Sequence, residues 1–197
     1  MSNSTQNTQS TSVNAWKRYS LRSNLYYGRR KVTVNSDKTY YAIEINGKIV
    51  SPLFEKLTLM PSFNHCVNDG LHFLTSPDGN EIISENYKKI GNFYAIQSLG
   101  KYYAKAESLD GKLGTISSNG NVCIKFENDV LERFGSAYAI CGKMVDGEMR
   151  YGIFAVNGEK VVDYNFVEYE ITQGKVVMIK EDGEKWFYSK LGTRLRV

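Results

Sequence analysis

Apolar and polar positions alternate over short stretches of this chain, and turn signals interrupt them at regular intervals. Asp-Gly stands at Asp69-Gly70, Asp110-Gly111, Asp146-Gly147 and Asp182-Gly183. A second series has Gly47, Gly79, Gly120, Gly158 and Gly192, and Asn46, Asp78, Asn119 and Asn157 precede four of them. Asn-Gly and Asp-Gly tolerate positive φ at both central positions, so each predicts a tight type I′ hairpin turn. The step from the first glycine to the second is 9 residues in three units and 11 in the fourth, from 147 to 158. The second-series glycines follow one another at 32, 41, 38 and 34 residues, a period that marks a repeated supersecondary unit.

The side chains between the turns suit strands. Ile43, Ile116, Phe154 and Tyr188 sit four residues before a second-series glycine, with Thr75 as the exception. Ile49-Val50, Ile82-Ile83, Val122-Cys123 and Val161-Val162 follow the turns, and residues 103–106, 138–141 and 176–179 precede the Asp-Gly pairs. Such β-branched and aromatic runs predict strands of about 5–6 residues. The 41-residue interval predicts an extra hairpin, from residues 93–96 through Leu99-Gly100 to 102–104. Residues 128–134 (NDVLERF) are the best place for a helical turn or two. The predicted fold is all-β: about four to five degenerate antiparallel hairpin or meander units sharing one core over residues 37–197, behind a mostly irregular arm at 1–36.

Charge separates the same two regions. Of 25 basic residues, Lys17, Arg18, Arg22, Arg29, Arg30 and Lys31 fall within the first 36 positions, which hold no acid. The other 161 residues carry 19 basic and 21 acidic side chains. Residues 1–14 are almost wholly Ser, Thr, Asn and Gln, too polar to offset the entropy of ordering. Residues 15–32 interleave Trp16, Tyr19, Leu21, Leu25, Tyr26 and Tyr27 with the six cations. Aromatics that stack and cations that meet phosphate suit single-stranded nucleic acid. They equally suit a groove on an acidic protein, an organellar targeting peptide, or packing on the chain's own sheet with the charges solvated. The candidate partner-binding residues are Trp16, Lys17, Arg18, Tyr19, Arg22, Tyr26, Tyr27, Arg29, Arg30 and Lys31.

The repeats resemble the WG-repeat family, whose unit runs Asp-Gly-Lys-Trp-Gly, two apolar residues, three of any kind, Gly, any residue, and two apolar residues. Residues 110–120 (DGKLGTISSNG) match it best, and in residues 146–158 Tyr151-Gly152 takes the Trp-Gly place. Tyr40-Tyr41, His72-Phe73 and Lys185-Trp186 occupy that place in the other three units. In the motif a large apolar residue anchors a core and the adjacent glycine permits close backbone approach. A short β unit cannot bury its apolar face alone, so neighbours must stack. The resemblance implies an all-β array, usually bacterial or phage-borne, without catalysis and serving as a binding or interaction module.

Chemistry-bearing residues are sparse among the 197 positions, of which 42% are hydrophobic. No apolar run approaches the ~18–20 residues of a membrane span, and the N-terminus lacks the apolar core of a secretory signal. Cys66, Cys123 and Cys141 are too few and scattered for a disulfide scaffold, so reduced thiols in a cytoplasmic or virion-associated protein are expected. His65, Cys66 and His72 are the only metal-like grouping, and a site needs three or four converging ligands. Neighbours on a strand point to opposite faces, which argues against a His65–Cys66 catalytic pair. Glu168 and Glu170 share a strand face at a spacing two glycosidase carboxylates might use, yet read as solvated charges. Trp186, Tyr151 and Tyr102 suggest a carbohydrate platform but occupy core positions of the repeat. The expectation is no catalytic residue, no cofactor and no metal: a non-enzymatic protein-interaction module. The alternatives are an assembly subunit docking through its basic arm, as in a phage particle, and nucleic-acid binding by residues 15–32.

Overall fold

A computed structural model describes residues 27–34, 38–172 and 174–196. Among them there is no α-helix, only one 3-10 turn at Gln97–Leu99, and no helix long and apolar enough to cross a membrane. The chain is all-β, as predicted, and every strand pair is antiparallel. It divides into two compact units, residues 1–86 and 87–197.

The first unit has two three-stranded meanders. One holds β1 (Tyr27–Val34), β2 (Lys38–Ile45) and β3 (Lys48–Ile49); the other holds β4 (Lys56–Leu59), β5 (Asn64–Asn68) and β6 (Leu71–Thr75). Tyr27, Ile43, Phe54, Leu57, Cys66 and Phe73 form the core between them.

The second unit has three sheets. The third sheet of the chain places β9 (Lys101–Glu107) between β10 (Leu113–Ser117) on one edge and β7 (Lys89–Ile90) with β8 (Tyr94–Ile96) on the other. The fourth runs β11 (Val130–Phe134), β12 (Tyr138–Val145), β13 (Glu148–Ala155), β14 (Lys160–Phe166). The fifth runs β15 (Glu168–Ile171), β16 (Lys175–Ile179), β17 (Lys185–Ser189), β18 (Arg194–Leu195). The fourth sheet is covered on both faces, which explains the unbroken apolar run in β12. Ile140 and Ile153 pack with Val176, Met178 and Tyr188 of the fifth sheet, while Ala139 and Cys141 pack with Ile124 and Leu131.

The predicted turns are in place. All nine glycines of the two series have positive φ, and the extra hairpin forms as β8 and β9. Type I′ geometry, with two successive left-handed residues, occurs at Asn46-Gly47, Asp69-Gly70 and Asp146-Gly147. Elsewhere only the glycine is left-handed. There the amide of Ser108 donates to Lys112 O and that of Ser189 to Thr193 O, across three-residue loops. These are the bulged hairpins that place one left-handed residue last.

Two expectations need correction. Residues 130–134 form β11, paired with β12 from Phe134↔Tyr138 to Val130↔Gly142, instead of a helical turn. Leu131 and Phe134, three residues apart, enter different cores on opposite faces of the sheet. Residues 27–34, placed by sequence in the irregular arm, form β1, in register with β2 from Tyr27↔Ile45 to Val34↔Lys38. The boundary expected at 36/37 therefore separates two strands that pair with each other. Residues 1–26 lie outside the described residues.

The Gly of the Trp-Gly place has a clear role. After the second turn the chain folds back across the strand it has left, and at Gly114 a Cβ would lie 2.5 Å from Ile124 O. At Gly152 it would lie 2.7 Å from Val162 O. Three of the second-turn glycines, Gly79, Gly158 and Gly192, rest on a preceding segment, whereas Gly47 has open space around it. A Cβ on Gly158 would meet Cys123 O at 2.3 Å, and one on Gly79 would meet Ile43 Cδ1 at 2.6 Å. Gly147, by contrast, has φ +85 and open space around it. Gly158→Ala is expected to cost about 3 kcal/mol, combining left-handed strain with backbone overlap. Gly147→Ala should cost only about 1–2 kcal/mol. Urea unfolding of both variants measures the difference, and equal losses would refute the seating role.

Candidate interaction surface

Of the ten residues proposed from sequence as a partner-binding arm, Trp16, Lys17, Arg18, Tyr19, Arg22 and Tyr26 lie outside the described residues. Tyr27, Arg29, Arg30 and Lys31 stand in β1, and three of them are engaged within the first unit. Tyr27 is buried, and its hydroxyl lies 2.8 Å from Asn64 Oδ1 and 2.5 Å from Pro77 O, donating to one at a time. Arg29 donates to Leu57 O at 3.0 Å and its guanidinium lies 4.6 Å from the Tyr41 ring centroid. Arg30 pairs with the nearly buried Glu44 carboxylate at 2.6 Å. The cross-strand neighbour decides these fates: β2 offers an acid and an aromatic ring to the cations of β1. Lys31, opposite Tyr41, is half-buried.

The histidines face each other across the β5–β6 hairpin, His65 Nε2 lying 2.9 Å from His72 Nδ1. Burial, and then His72, lowers the His65 pKa to about 4. Cys66 points to the opposite face, as strand alternation requires, with its sulfur 3.7 Å from Thr75 Oγ1. Burial pushes the Cys66 and Cys141 thiols up to about 12, which leaves both protonated at neutral pH. Among the described residues no three His, Cys, Asp or Glu side chains converge as metal ligands. Glu168 and Glu170 are exposed on one face of β15. Tyr151 and Trp186 are half-buried against the core between the fourth and fifth sheets, and Tyr102 is half-buried on β9.

A cleft of about 270 Å³ opens beside the fourth sheet, and two of the three lysines that line it are paired with its two acids, Lys125 being the third. Lys143 pairs with Glu127 at 2.9 Å and Lys160 with Asp163 at 2.6 Å. Lys143 also sits 4.4 Å over the Tyr164 ring, whose hydroxyl donates to Asn128 Oδ1 at 2.6 Å.

The fifth sheet carries the contrasting feature. Residues 185–196 hold Lys185, Lys190, Arg194 and Arg196, with Trp186, Phe187 and Tyr188 and no acid. The signal was present in the sequence but hidden, because the net charge of residues 37–197 averages it away. Here a cleft of about 690 Å³ is lined by Lys185, Trp186, Phe187, Arg194, Leu195 and Arg196. Trp186 is held by an edge contact to Phe166, with centroids 5.4 Å apart, and by its Nε1 donating to Glu184 at 2.7 Å. The Arg194 guanidinium lies 3.4 Å from the centroid of the indole ring it covers, and Lys180 Nζ 4.4 Å. Lys180 also pairs with Glu184 at 2.5 Å. Hydrogen bonds from Lys180, then Trp186, lower the Glu184 pKa. Among the described residues, Lys185, Arg194 and Arg196 form no ion pair.

No protein-family model matches the chain, and no curated protein matches it.

The histidine pair makes stability depend on pH. His65 titrates near 4 in the folded chain and near its ordinary 6.5 when unfolded, so the unfolded state binds more protons between these values. Its contribution is present above about pH 6.5 and is lost as pH falls toward 4. The loss should reach up to about 3 kcal/mol. Urea unfolding at pH 7 and pH 4.5 should show it, with a smaller drop in His65→Gln.

Proposed function

We propose that this chain is a non-enzymatic β-repeat module that binds another protein through the edge of its fifth sheet. One observation carries the reading. Arg29 and Arg30 of β1 and Lys143 and Lys160 of the smaller cleft are matched by acids, a carbonyl group or rings of their own unit. By contrast, Lys185, Arg194 and Arg196 line a larger cleft and form no ion pair among the described residues, although Arg194 lies close enough to Glu184 to help hold its carboxylate ionised. Unmatched like charges repel one another, and a partner of opposite charge relieves that repulsion and steers association. The repeated meander supplies a rigid base, and the WG-repeat resemblance points to the same class of function.

The test uses the full chain as bait in lysate of its source cell after nuclease treatment. It is compared with the Lys185→Glu, Arg194→Glu, Arg196→Glu triple variant, whose fold is checked by circular dichroism. The expected result is a set of proteins captured by the native chain and lost by the variant. Equal capture by both would remove the fifth sheet from the function. Partners captured only when the nuclease step is omitted would favour nucleic-acid binding. A chain lacking residues 1–26 keeps β1 in place, so loss of capture in that chain alone would move the function to the arm. Removing 1–36 instead would delete β1 and the Tyr27–Asn64 contact, which makes it the wrong truncation.

A further inference from the structure

We infer that the occupant of the fifth-sheet cleft is an extended acidic peptide segment of the partner protein, laid along β18 with a carboxylate on Arg194. The inference rests on the proposed function and names the chemistry of its ligand.

Charge is the first argument. Three of the six residues lining the cleft are cations, none of them ion-paired within the described residues; Glu184 is hydrogen-bonded by Lys180 and Trp186 and feels Arg194 only through its charge. Geometry is the second. Arg194 stacks on Trp186, and Trp186 is itself fixed by Phe166 and Glu184. The Arg194 guanidinium carbon lies 3.4 Å from the indole centroid, and a guanidinium over a ring still offers N–H groups that match a carboxylate in bidentate fashion.

The backbone is the third. Among the described residues β18 pairs with β17 alone, through Phe187↔Leu195 and Tyr188↔Arg194. The Ser189 amide donates to Thr193 O, and hydrogen-bonded and non-bonded pairs alternate along an antiparallel ladder. Arg194 therefore turns its own amide and carbonyl toward the open edge, where an added strand would find them. Leu195 is 40% exposed and Leu191 70%, giving alternate side chains of such a strand an apolar contact.

The same features weigh against nucleic acid. Base stacking needs a free aromatic face. Arg194 and Lys180 lie over the indole of Trp186, and Lys175 Nζ sits 4.5 Å over the Phe187 ring. Bases would have to displace those cations before stacking, whereas a carboxylate uses them where they stand.

The experiment measures fluorescence anisotropy of a labelled peptide of alternating Glu and Val residues with the full chain at low salt. Its counterparts are the same peptide with Lys for Glu, and labelled oligo(dT) of equal length. The Glu peptide should bind and the Lys peptide should not. Arg194→Glu should weaken binding at least about tenfold, and Trp186→Phe, which keeps an aromatic ring in the core, should weaken it less. Absence of Glu-peptide binding, indifference to Arg194→Glu, or tighter binding of oligo(dT) at the same residues would each overturn the inference. If the peptide fails while the triple variant still loses its protein partners, the module reading stands and only the acidic ligand is refuted.

Discussion

The architecture depends on a single steric constraint: backbone must pass over backbone at a distance that excludes a Cβ. At Gly114 and Gly152 the returning chain crosses the strand it has just left, so its carbonyl lies where a side chain would begin. At Gly158 the turn of one sheet rests on the backbone of Cys123, beyond the previous sheet, and at Gly192 it rests on the Tyr138 ring. These contacts let a four-stranded meander close on itself and receive its neighbour. The residues after the turn reach matching places. Phe54, Tyr87, Asn128 and Phe166 follow the second-turn glycine by 7, 8, 8 and 8 residues and are all buried. Ser51 and Ser84 occupy matching positions too. Each accepts the amide of the strand it crosses, Ile43 or Leu74, at 2.8 Å and donates to the carbonyl of the next residue at 2.8 Å.

What was legible in the sequence was local. Glycine after Asn or Asp specifies its own turn, so the hairpins and the extra β8–β9 pair could be read without knowing what lay around them. Of the buried aromatics at 54, 87 and 166, Tyr87 follows the polar Ser84-Glu85-Asn86 and Phe54 comes shortly after Pro52, so neither stands in an alternating run. Phe166, by contrast, ends the alternation Val162, Tyr164, Phe166 and was legible in the sequence. The β11 segment was misread for a related reason. An apolar pair three residues apart suits one helical face, and only the presence of a core on each side of the sheet makes it a strand. The sequence showed apolar residues there but not how many cores would receive them.

The two basic-aromatic segments illustrate a harder problem. Composition marked β1 as a docking element, yet Arg29 and Arg30 are held by Leu57 O, the Tyr41 ring and Glu44. The equivalent run at 185–196 lies in a stretch whose total charge is slightly acidic, and it passed unnoticed. Whether a cation is available to a partner depends on what stands across the sheet from it, which is a property of register. β1 faces a strand with a carboxylate at Glu44, whereas β18 faces Phe187 and Tyr188. A count of charges along the chain cannot separate these cases, but strand register does so at once.

Register also bears on how strongly the fifth sheet can bind. A long cation at a surface loses rotamer entropy when it engages a ligand, and this often cancels much of the gain. Arg194 has already given up part of that freedom to the indole beneath it. The indole in turn is fixed by Phe166, which is fully buried in the core between the fourth and fifth sheets. The chain of contact from core aromatic to Trp186 to guanidinium transfers the rigidity of the repeat to a charged group at its edge. Lys185 and Arg196 lack a comparable stack among the described contacts, so they contribute attraction over a distance rather than a defined hydrogen-bond geometry. Arg194 is therefore the residue on which specificity at this edge should concentrate, with its neighbours setting the rate of encounter.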